Sequence, residues 1–397
     1  MRILNIIASV NLRGGGPIEG ILQLSRLQLD AGWEVEIASL DHPDEPSVRS
    51  FPVEVHALGV RRAPTSKLVV WMQDGLKQSA IRWLKENIKG YDAVIVHGLW
   101  NYSVFAARRA LVGGDVPYAV FTHGMLDPWF KKSNRLKSIV KQLLWWFSEG
   151  PLLNHANAVL FTTEEERLVS RHAFWPYRVK EKVVGFGTSD VGGDPEVQLA
   201  AFRAAVPELG GREYLLFLSR LHPKKGCDLL IDAFAEVAAK CPRVDLVMAG
   251  PDQVGWQIEL GARAEALGIG GRIHWPGMLR GDVKWGAYRG CEAFVLPSHQ
   301  ENFGVVVAEA MAVGKPVLIS EKVQIWREVV AGGGGFAETD NAEGTARALD
   351  RFLSLSESDR LAMGKAARST FLDRFDIRKT ATNLNDFLEE VVSDCAT

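Results

Sequence analysis

Two glutamates that follow a predicted strand have the spacing that most directly suggests chemistry. Glu301 and Glu309 are separated by seven residues in SHQENFGVVVAEAMAV, which follows the apolar run Ala293–Pro297. A helix is predicted to begin near Gly304, which places Glu301 in the preceding loop and Glu309 within an apolar stretch of the helix. A buried carboxylate needs partners, and the vicinal hydroxyls of a ribose would supply two donors. In a second interpretation, Glu309 forms a salt bridge with a neighbouring lysine or faces solvent.

The start of the same helix is suited to an anion. The backbone N–H groups of Asn302, Phe303 and Gly304 open the helix, and the first N–H groups of a helix favour phosphate. Gly304 has no side chain, so the backbone can approach a ligand closely. This segment is therefore a candidate diphosphate site.

A basic cluster lies at the end of another predicted strand. Arg220, Lys224 and Lys225 occur in SRLHPKKG, which follows the strand candidate Tyr214–Ser219. An arginine fork and a lysine point charge together match a pyrophosphate. The alternative is a solvated basic turn without a ligand.

The first half of the chain carries glycines and histidines after its strands. The loop NLRGGGPIEG follows the first strand, but its glycines do not have the G-x-G-x-x-G spacing of a dinucleotide site. Asp41, which ends the second strand, is interpreted as a surface loop residue. His97 and His123 each follow a strand, in VHGLW and FTHGMLDP, where ligands of open α/β sheets bind. A packed turn is an equal alternative for His97.

The elements that must position these residues alternate between strand and helix. This alternation predicts an α/β fold with parallel sheets and helices on both faces. A chain of 397 residues exceeds what one core usually organises, so two domains are expected. The strand candidates are Arg2–Ser9, Glu34–Leu40, Val53–Ala57, Asp92–His97, Tyr118–Thr122, Ala158–Thr162, Tyr214–Ser219, Asp245–Ala249, Arg272–Trp275, Ala293–Pro297 and Pro316–Ser320.

A change in composition divides the chain. Glycines and prolines concentrate in Thr188–Arg212, ahead of a new strand. We predict a first domain over 1–190, a linker over 191–212 and a second domain over 213–375. The terminal helix, 376–397, is expected to return to the first domain.

The overall composition excludes some classes of protein. Basic and acidic residues nearly cancel, 46 against 48, so the net charge does not favour nucleic acid as a partner. The four cysteines, whose spacing fits no zinc pattern, are interpreted as reduced thiols of a cytoplasmic protein. No apolar run reaches the length of a membrane span.

One basic stretch rich in aromatic residues is a candidate for contact with a membrane surface. Trp129–Phe147 has five basic residues and no acidic one, interleaved with tryptophans and aliphatic residues. Such a helix can lie on the anionic inner face of a membrane. The alternative is a helix with an apolar face in the core and solvated charges.

The motifs of the second half resemble those of family 4 retaining glycosyltransferases, which have the GT-B fold. Glu301 and Glu309 match the E-x7-E signature, and Arg220-Leu221-x3-Lys225-Gly226 resembles the phosphate-clamp motif of that family. The resemblance implies two Rossmann-like domains with parallel sheets facing a central cleft. The chain departs from the family pattern at Val323–Val330, VQIWREVV. Many relatives carry Gly-Gly-x-Pro-Glu there, and of that motif only the glutamate has a counterpart, Glu328.

The resemblance also implies roles for individual residues on the donor side. Arg220 and Lys225 would neutralise the donor diphosphate, and Glu301 would contact hydroxyls of the donor sugar. Glu309 would bind the ribose. The remaining donor contacts would be made by backbone, at Asn302, Phe303 and Gly304 for sugar and phosphate, and at Met278 and Leu279 for the nucleobase.

The first half is similar to the acceptor side of the same family. The glycine loop, with Gly15 and Gly16, would lie under the donor phosphates and the incoming acceptor. His123 would lie at the reaction centre. Asp127 would orient the acceptor hydroxyl, and His97 is a candidate acceptor-side contact.

These assignments predict a retaining transfer of a hexose from a UDP- or GDP-sugar to a saccharide or lipid-linked acceptor, in cell-surface or exopolysaccharide assembly. Front-face attack is expected because no residue is a convincing carboxylate nucleophile. No metal is expected, since the cationic clamp takes its place. The alternatives are another enzyme on this scaffold, such as an epimerase or phosphorylase, a non-catalytic sugar-nucleotide-binding protein, and a nicotinamide enzyme.

Overall fold

The computed structural model describes residues 1–11, 16–59, 79–127 and 135–396. They form two compact units. Unit 1 comprises Met1–Phe186 together with Ile377–Thr397, and unit 2 comprises Gly187–Asp376. Each unit contains one parallel sheet with helices between its strands.

The sheet of unit 1 has the strand order β3-β2-β1-β4-β5-β6-β7, and all its paired strands run parallel. Its strands are β1 (Arg2–Ile6), β2 (Glu34–Ser39), β3 (Glu54–Ala57), β4 (Ala93–His97), β5 (Tyr118–Phe121), β6 (Ala158–Phe161) and β7 (Glu181–Val183). The α-helices of unit 1 are Gly16–Asp30, Pro46–Arg49, Ser79–Asn87, Tyr102–Leu111, Arg135–Leu144, Gly150–His155, Glu164–Ser170 and Ile377–Ala396. A π-helical turn, Trp145–Glu149, joins two of them.

The sheet of unit 2 has the order β10-β9-β8-β11-β12-β13 and is also parallel. Its strands are β8 (Glu213–Leu218), β9 (Val244–Ala249), β10 (Ile273–Gly277), β11 (Ala293–Leu296), β12 (Val317–Ser320) and β13 (Gly335–Glu338). Its α-helices are Pro195–Ala205, Cys227–Ala238, Gln257–Ala266, Gly281–Gly290, Val305–Ala312, Trp326–Ala331, Ala342–Leu353 and Glu357–Thr370.

The central strands are buried on both faces, as parallel strands between two helix layers must be. Every residue of β4 and β11 is buried, which explains their unbroken apolar sequences. In both sheets the strand order reverses direction at one point, between β1 and β4 in unit 1 and between β8 and β11 in unit 2. Such switch points leave a crevice at the carboxyl ends of the strands.

The strands predicted from apolar runs are confirmed, with ends shifted by at most three residues. Two strands, β7 and β13, were not predicted. Both lie at an edge of their sheets and both are only partly buried. Short edge strands with charged residues carry no continuous apolar run.

The predicted linker over 191–212 is wrong in its central part. Pro195–Ala205 forms a helix, with Asp194 as its N-cap accepting a hydrogen bond from the Glu196 N–H (2.8 Å), and this helix belongs to unit 2. The helix packs closely on Gly281–Gly290, because a Cβ at Gly286 would lie 1.9 Å from the carbonyl oxygen of Gln198. Most of the glycines and prolines that suggested a linker flank this helix, whose caps are Asp194 and Val206.

The terminal helix Ile377–Ala396 packs on the first helix of the chain in unit 1. Gln28 Nε2 donates to Asn385 Oδ1 (3.0 Å), and Asn383 Nδ2 donates to the Val184 carbonyl (3.2 Å). All four cysteines are free thiols. None of the helices in the described ranges combines the length and apolarity that crossing a membrane requires.

Candidate active site

The clamp loop, Ser219–Gly226, follows β8 in unit 2. It contains a single 3-10 turn, Pro223–Lys225. His222 is the N-cap of this turn, and its Nδ1 accepts a hydrogen bond from the Lys224 N–H (3.1 Å). The turn buries Lys225 while Arg220 stays exposed, with Nη1 within 3.4 Å of Gln253 Oε1. The loop therefore holds one cation inside the unit and another at its surface.

The glutamate loop, Ser298–Gly304, follows β11 and leads into the helix Val305–Ala312. Glu301 is fixed through its backbone, since its N–H donates to Lys322 O (3.0 Å) and its carbonyl accepts from the Gln324 N–H (3.1 Å). The helix begins after Gly304, whose φ of 75° lies in the left-handed region that favours glycine.

The two loops are joined at the switch point between β8 and β11. The carbonyl of Lys224 accepts hydrogen bonds from Ser298 Oγ and from the His299 N–H, both at 2.9 Å. The Lys225 ammonium contacts the Glu301 carboxylate directly. The structure thus brings together two residues that the sequence analysis assigned to the donor site, 76 positions apart in the chain.

Opposing effects act on the charge of Lys225. Burial lowers its pKa, and the positive charges of Lys224 and Arg220 lower it further. The Glu301 carboxylate in contact favours the charged ammonium and opposes this shift. A diphosphate bound at the clamp loop would favour the charged form in the same way.

Glu309 is buried and already has two partners. Its Oε1 accepts from Lys284 Nζ (2.8 Å) and its Oε2 accepts from Tyr288 OH (3.0 Å). Burial and the adjacent Glu309 charge raise the pKa of Tyr288, which stays a neutral donor. A salt bridge to a neighbouring lysine was the second interpretation of Glu309, and it is present. Each carboxylate oxygen can accept a further hydrogen bond, so the ribose role stays a prediction.

The remaining predicted donor residues differ in exposure. Met278 is exposed and Leu279 is buried, directly after the end of β10. Phe303 is buried, with its ring edge-on to Phe375 at a centroid distance of 5.5 Å. Its side chain therefore serves the core, and any ligand contact at Phe303 falls to the backbone.

In unit 1, a chain of hydrogen bonds joins three neighbouring strands. His97, the last residue of β4, places Nε2 2.9 Å from Asn5 Oδ1 and Nδ1 3.0 Å from His123 Nε2. His97 is buried and both of its ring nitrogens have hydrogen-bond partners, as the packed-turn alternative predicts, and its contact with an acceptor stays a prediction. The hydrogen bond between the two rings helps to hold the His123 ring in place.

His123 is held in an unusual backbone conformation. Its φ is 49°, and its ring stacks on Phe121 at a centroid distance of 4.5 Å. Desolvation lowers its pKa to about 3 and lowers that of His97 well below the ordinary value. At neutral pH both rings are therefore uncharged and can accept hydrogen bonds.

Glu166, which was not predicted as a site residue, fixes the turn that carries His123. Its buried carboxylate accepts from Thr122 Oγ1 (2.8 Å) and the Gly124 N–H (2.6 Å), on either side of His123. Its other oxygen accepts from the N–H (2.7 Å) and hydroxyl (2.6 Å) of Thr162. Its position three residues after the helix N-cap Thr163 was the available signal.

The remaining predictions for unit 1 concern Asp41, Asp127 and the glycine loop. Asp41 is buried and accepts from Ser9 Oγ (2.6 Å) and the Val10 N–H (2.7 Å), so its interpretation as a surface residue is wrong. Asp127 lies in the turn after His123, where its N–H donates to Gly124 O (3.1 Å). Gly15 lies outside the described residues, and Gly16 begins the first helix.

Among the described residues, one group could hold a metal ion, namely Glu36, Glu54 and His56 on β2 and β3. The Glu36 carboxylate already accepts from Tyr91 OH (2.6 Å) and from Arg2, and it contacts His56 (2.6 Å). Burial alone raises the pKa of Glu36, but these hydrogen bonds lower it to about 2. Glu36 and His56 are therefore engaged with each other, and Glu36 also with Tyr91 and Arg2.

The two parallel sheets and the joined loops are the features that the resemblance to glycosyltransferases of the GT-B fold implies. Two family models match the chain. The one described as "Glycosyl transferases group 1" matches residues 200–370, and the one described as "Glycosyl transferase 4-like domain" matches residues 15–184.

Individual relatives agree with these matches. A phosphatidyl-myo-inositol mannosyltransferase of Mycolicibacterium smegmatis is 31% identical over 366 residues, which cover 90% of this chain and 85% of the relative. The chain belongs to the group 1 glycosyl transferases and is a glycosyltransferase.

Solved structures are similar over nearly the whole chain. A sucrose-phosphate synthase of Thermosynechococcus elongatus has a TM-score of 0.78 at 18% identity and covers 99% of both chains. An Anabaena protein in complex with UDP and glucose has a TM-score of 0.74 at 19% identity, covering 98% of this chain and 99% of its own. At these identities the similarity establishes the fold, GT-B.

Proposed function

We propose that this protein is a retaining hexosyltransferase that uses a UDP- or GDP-sugar and needs no metal ion. Unit 2 binds the donor and unit 1 binds a saccharide or lipid-linked saccharide acceptor. The observation that carries the proposal is the junction of the clamp loop with the glutamate loop, through Lys225 and Glu301, at the switch point of the second sheet. A cation there neutralises the diphosphate, and a fixed carboxylate accepts hydrogen bonds from the sugar.

In the proposed reaction, the acceptor hydroxyl attacks the anomeric carbon on the face that the diphosphate leaves. The new bond joins the acceptor oxygen to this carbon. The bond from the carbon to the phosphate oxygen breaks, and its electron pair stays on the diphosphate. The hydroxyl proton passes to that diphosphate oxygen. Arg220, Lys225 and the start of the helix after Gly304 stabilise the developing phosphate charge.

The state of Glu301 supports attack from the front face. A double inversion needs a carboxylate free to bond to the anomeric carbon. Glu301 is paired with Lys225 and held by two backbone hydrogen bonds, so the proposal assigns it to the sugar hydroxyls. With a pKa lowered to about 3, His123 is too weak a base to remove the acceptor proton, which leaves that task to the diphosphate.

The names of the relatives support the proposed donor and acceptor classes. The Anabaena structure contains UDP and glucose, and the mycobacterial relative is named for transfer of mannose to a phosphatidylinositol. We propose a role in the assembly of cell-surface or exopolysaccharide material. The identity of the base and the sugar is the first question for experiment.

A thermal-shift screen of UDP, GDP and ADP, followed by transfer assays, tests the donor site. A nucleotide present at 100 times its dissociation constant stabilises the folded state by about 2.7 kcal/mol, which gives a clear increase in Tm. A shift with UDP or GDP is expected, and no shift with any nucleotide contradicts the proposal. NMR of the product then gives the anomeric configuration, and an inverted product contradicts retention.

Two other functions would give different results in the same assays. An epimerase or phosphorylase of this fold would convert the nucleotide sugar without a saccharide acceptor or would require phosphate. A non-catalytic binding protein would show the nucleotide-induced shift in Tm without turnover.

Glu309 is expected to contribute to nucleotide affinity through the ribose. Glu309→Gln removes the charge but keeps an acceptor for Tyr288, so we expect about a tenfold increase in the dissociation constant of the preferred nucleoside diphosphate. Discrimination against the 2′-deoxynucleotide should disappear in this variant. Calorimetric titration with both nucleotides measures these two effects.

The control for this prediction is Tyr288→Phe, which removes one donor to the same carboxylate and leaves its charge. This variant should still discriminate against the 2′-deoxynucleotide. If Glu309→Gln discriminates as strongly as the wild-type protein, Glu309 serves only as the partner of Lys284 and Tyr288.

We also propose that unit 1 contacts an anionic membrane surface. Of the predicted stretch 129–147, residues 129–134 lie outside the described residues. The remainder exposes a row of apolar side chains on one side, comprising Ile139, Val140, Leu143, Trp146 and Phe147. Trp175 extends this row, because its carbonyl accepts from Trp146 Nε1 (2.8 Å) and Gln142 Nε2 (2.6 Å).

The surroundings of Trp175 support an anionic partner. A cavity of about 410 Å³ lies beside it and is lined by Tyr177, by Arg178 and by Arg171, whose guanidinium is paired with Glu181 (2.5 Å). Exposed aromatic residues beside basic groups are typical of surfaces that contact anionic lipid.

Removing the two most exposed aromatic side chains of this surface is expected to weaken vesicle binding about tenfold. Phe147 and Trp175 are 70% and 74% exposed, so Phe147→Ser combined with Trp175→Ser removes apolar area at little cost to the core. Sedimentation with vesicles that contain anionic phospholipid measures the effect. Ile258→Ser, at an 85% exposed position of unit 2, is the matched control. Equal binding by both variants and the wild-type protein contradicts the membrane proposal.

A further inference from the structure

The hydrogen-bond chain of unit 1 begins at a residue for which the family resemblance implies no role. Asn5 lies on β1, opposite Ile95 of β4, and is buried. His97 is two residues beyond Ile95, so its side chain is on the same face of the sheet as Asn5. Asn5 therefore reaches His97, and through His97 it reaches His123.

We propose that Asn5 is a positioning residue. Through His97 it sets which ring nitrogen of His123 carries the hydrogen, so that Nδ1 of His123 is left free of hydrogen to accept a hydrogen bond from a sugar hydroxyl. The contact with sugar rests on the proposed function, whereas the position of the hydrogen does not.

The direction of the chain follows from its first member. Asn5 Oδ1 is an acceptor only, so His97 Nε2, at 2.9 Å, must donate. Desolvation keeps His97 uncharged, with a single ring hydrogen, and its Nδ1 therefore has a lone pair. His123 Nε2, at 3.0 Å from this Nδ1, must then be the donor. Since His123 is also uncharged, its remaining nitrogen, Nδ1, has no hydrogen.

The orientation of the His123 ring is fixed by other contacts, which leaves the position of its hydrogen to this chain. Phe121 stacks on one face with an interplanar angle of 3°, and Phe186 lies edge-on at 6.4 Å. Glu166 accepts from the Thr122 hydroxyl and the Gly124 N–H, in the residues directly before and after His123. If the Asn5 amide were turned over, its NH2 group would donate to His97, and donor and acceptor would exchange in each hydrogen bond of the chain. The orientation of the Asn5 amide therefore determines which nitrogen of His123 carries the hydrogen.

The experiment is nitrogen-15 NMR of histidine-labelled protein without ligand, because imidazole nitrogen shifts distinguish the two tautomers. The His123 signal is assigned by its loss in His123→Gln. The wild-type protein is expected to show hydrogen on Nε2 of both His97 and His123. Asn5→Asp retains an acceptor and should keep this pattern, whereas Asn5→Leu should give a mixture of tautomers at His123. Hydrogen on Nδ1 of wild-type His123, or an unchanged His123 signal in Asn5→Leu, overturns the proposal.

Turnover provides a second readout. Asn5→Leu is expected to lower kcat about tenfold without changing the nucleotide dissociation constant, and Asn5→Asp should recover most of the loss. Asn157→Asp is the matched control, since Asn157 Oδ1 accepts from the Tyr118 N–H (3.0 Å) in the same unit but outside the chain. If Asn5→Leu folds too poorly to study, the tautomers of the wild-type protein and of Asn5→Asp decide the question. Failure of the proposed function appears separately, as absence of nucleotide-sugar binding and turnover in the wild-type protein.

Discussion

Replacing Lys225 with alanine is expected to lower kcat/KM roughly 100- to 1,000-fold, the usual effect of removing one group that stabilises developing negative charge. The lysine is buried and in contact with Glu301, so no mobile surface cation can take its place. Its loss also leaves the Glu301 carboxylate without its partner, and the variant should be less stable than the wild-type protein. Steady-state kinetics and thermal unfolding measure the two effects.

Two further variants separate catalysis from stability. Lys224→Ala removes the same charge one position away, and it should lower kcat/KM less than tenfold. Glu301→Gln combined with Lys225→Ala removes the uncompensated carboxylate, so stability should recover while activity does not. The assignment of Lys225 to the clamp is wrong if Lys224→Ala loses as much activity as Lys225→Ala.

Gly226→Ala is expected to disrupt the donor site by forcing its two loops apart. Gly226 has a φ of 67°, and a Cβ there would lie 2.3 Å from the carbonyl oxygen of Pro297. The backbone conformation alone costs an alanine about 1–3 kcal/mol, and the clash adds to this. We expect a lower free energy of unfolding and at least a tenfold weaker nucleotide affinity, because Lys225 no longer reaches Glu301. Urea denaturation and calorimetry measure both.

Gly261→Ala is the control for this substitution. Gly261 lies within the helix Gln257–Ala266, where an added Cβ would have no atom within 4 Å. Alanine there should stabilise the protein by about 0.5–1 kcal/mol. A Gly226→Ala variant that keeps the stability and nucleotide affinity of the wild-type protein would show that the loops tolerate separation.

The parallel sheets and the donor loops could be predicted because their signals are local. A strand buried on both faces must be continuously apolar, and the residues after it lie at a ligand-binding edge. Arg220, Lys225, Glu301 and Glu309 were selected in this way, and their roles at a donor site stay predictions. The edge strand β13, by contrast, follows a run of glycines, and it is a strand because it pairs with β12.

Partners that depend on tertiary contact could not be predicted. Glu309 meets Lys284 and Tyr288 only because a second helix, Gly281–Gly290, packs beside its own. Asn5 and His97 are 92 positions apart, and their contact depends on the pairing of β1 with β4. Nothing in the sequence around either residue indicates the other.

The discontinuity of unit 1 has a consequence for biosynthesis. Its terminal helix, Ile377–Ala396, is separated from the rest of the unit by the whole of unit 2. A ribosome makes this helix after the whole of unit 2, so Gln28 can pair with Asn385 only after unit 2 has been synthesised. Unit 2 is one continuous segment, and domains generally fold as units when they emerge. Unit 2 is therefore expected to be the first to complete its fold, although most of unit 1 precedes it in the chain.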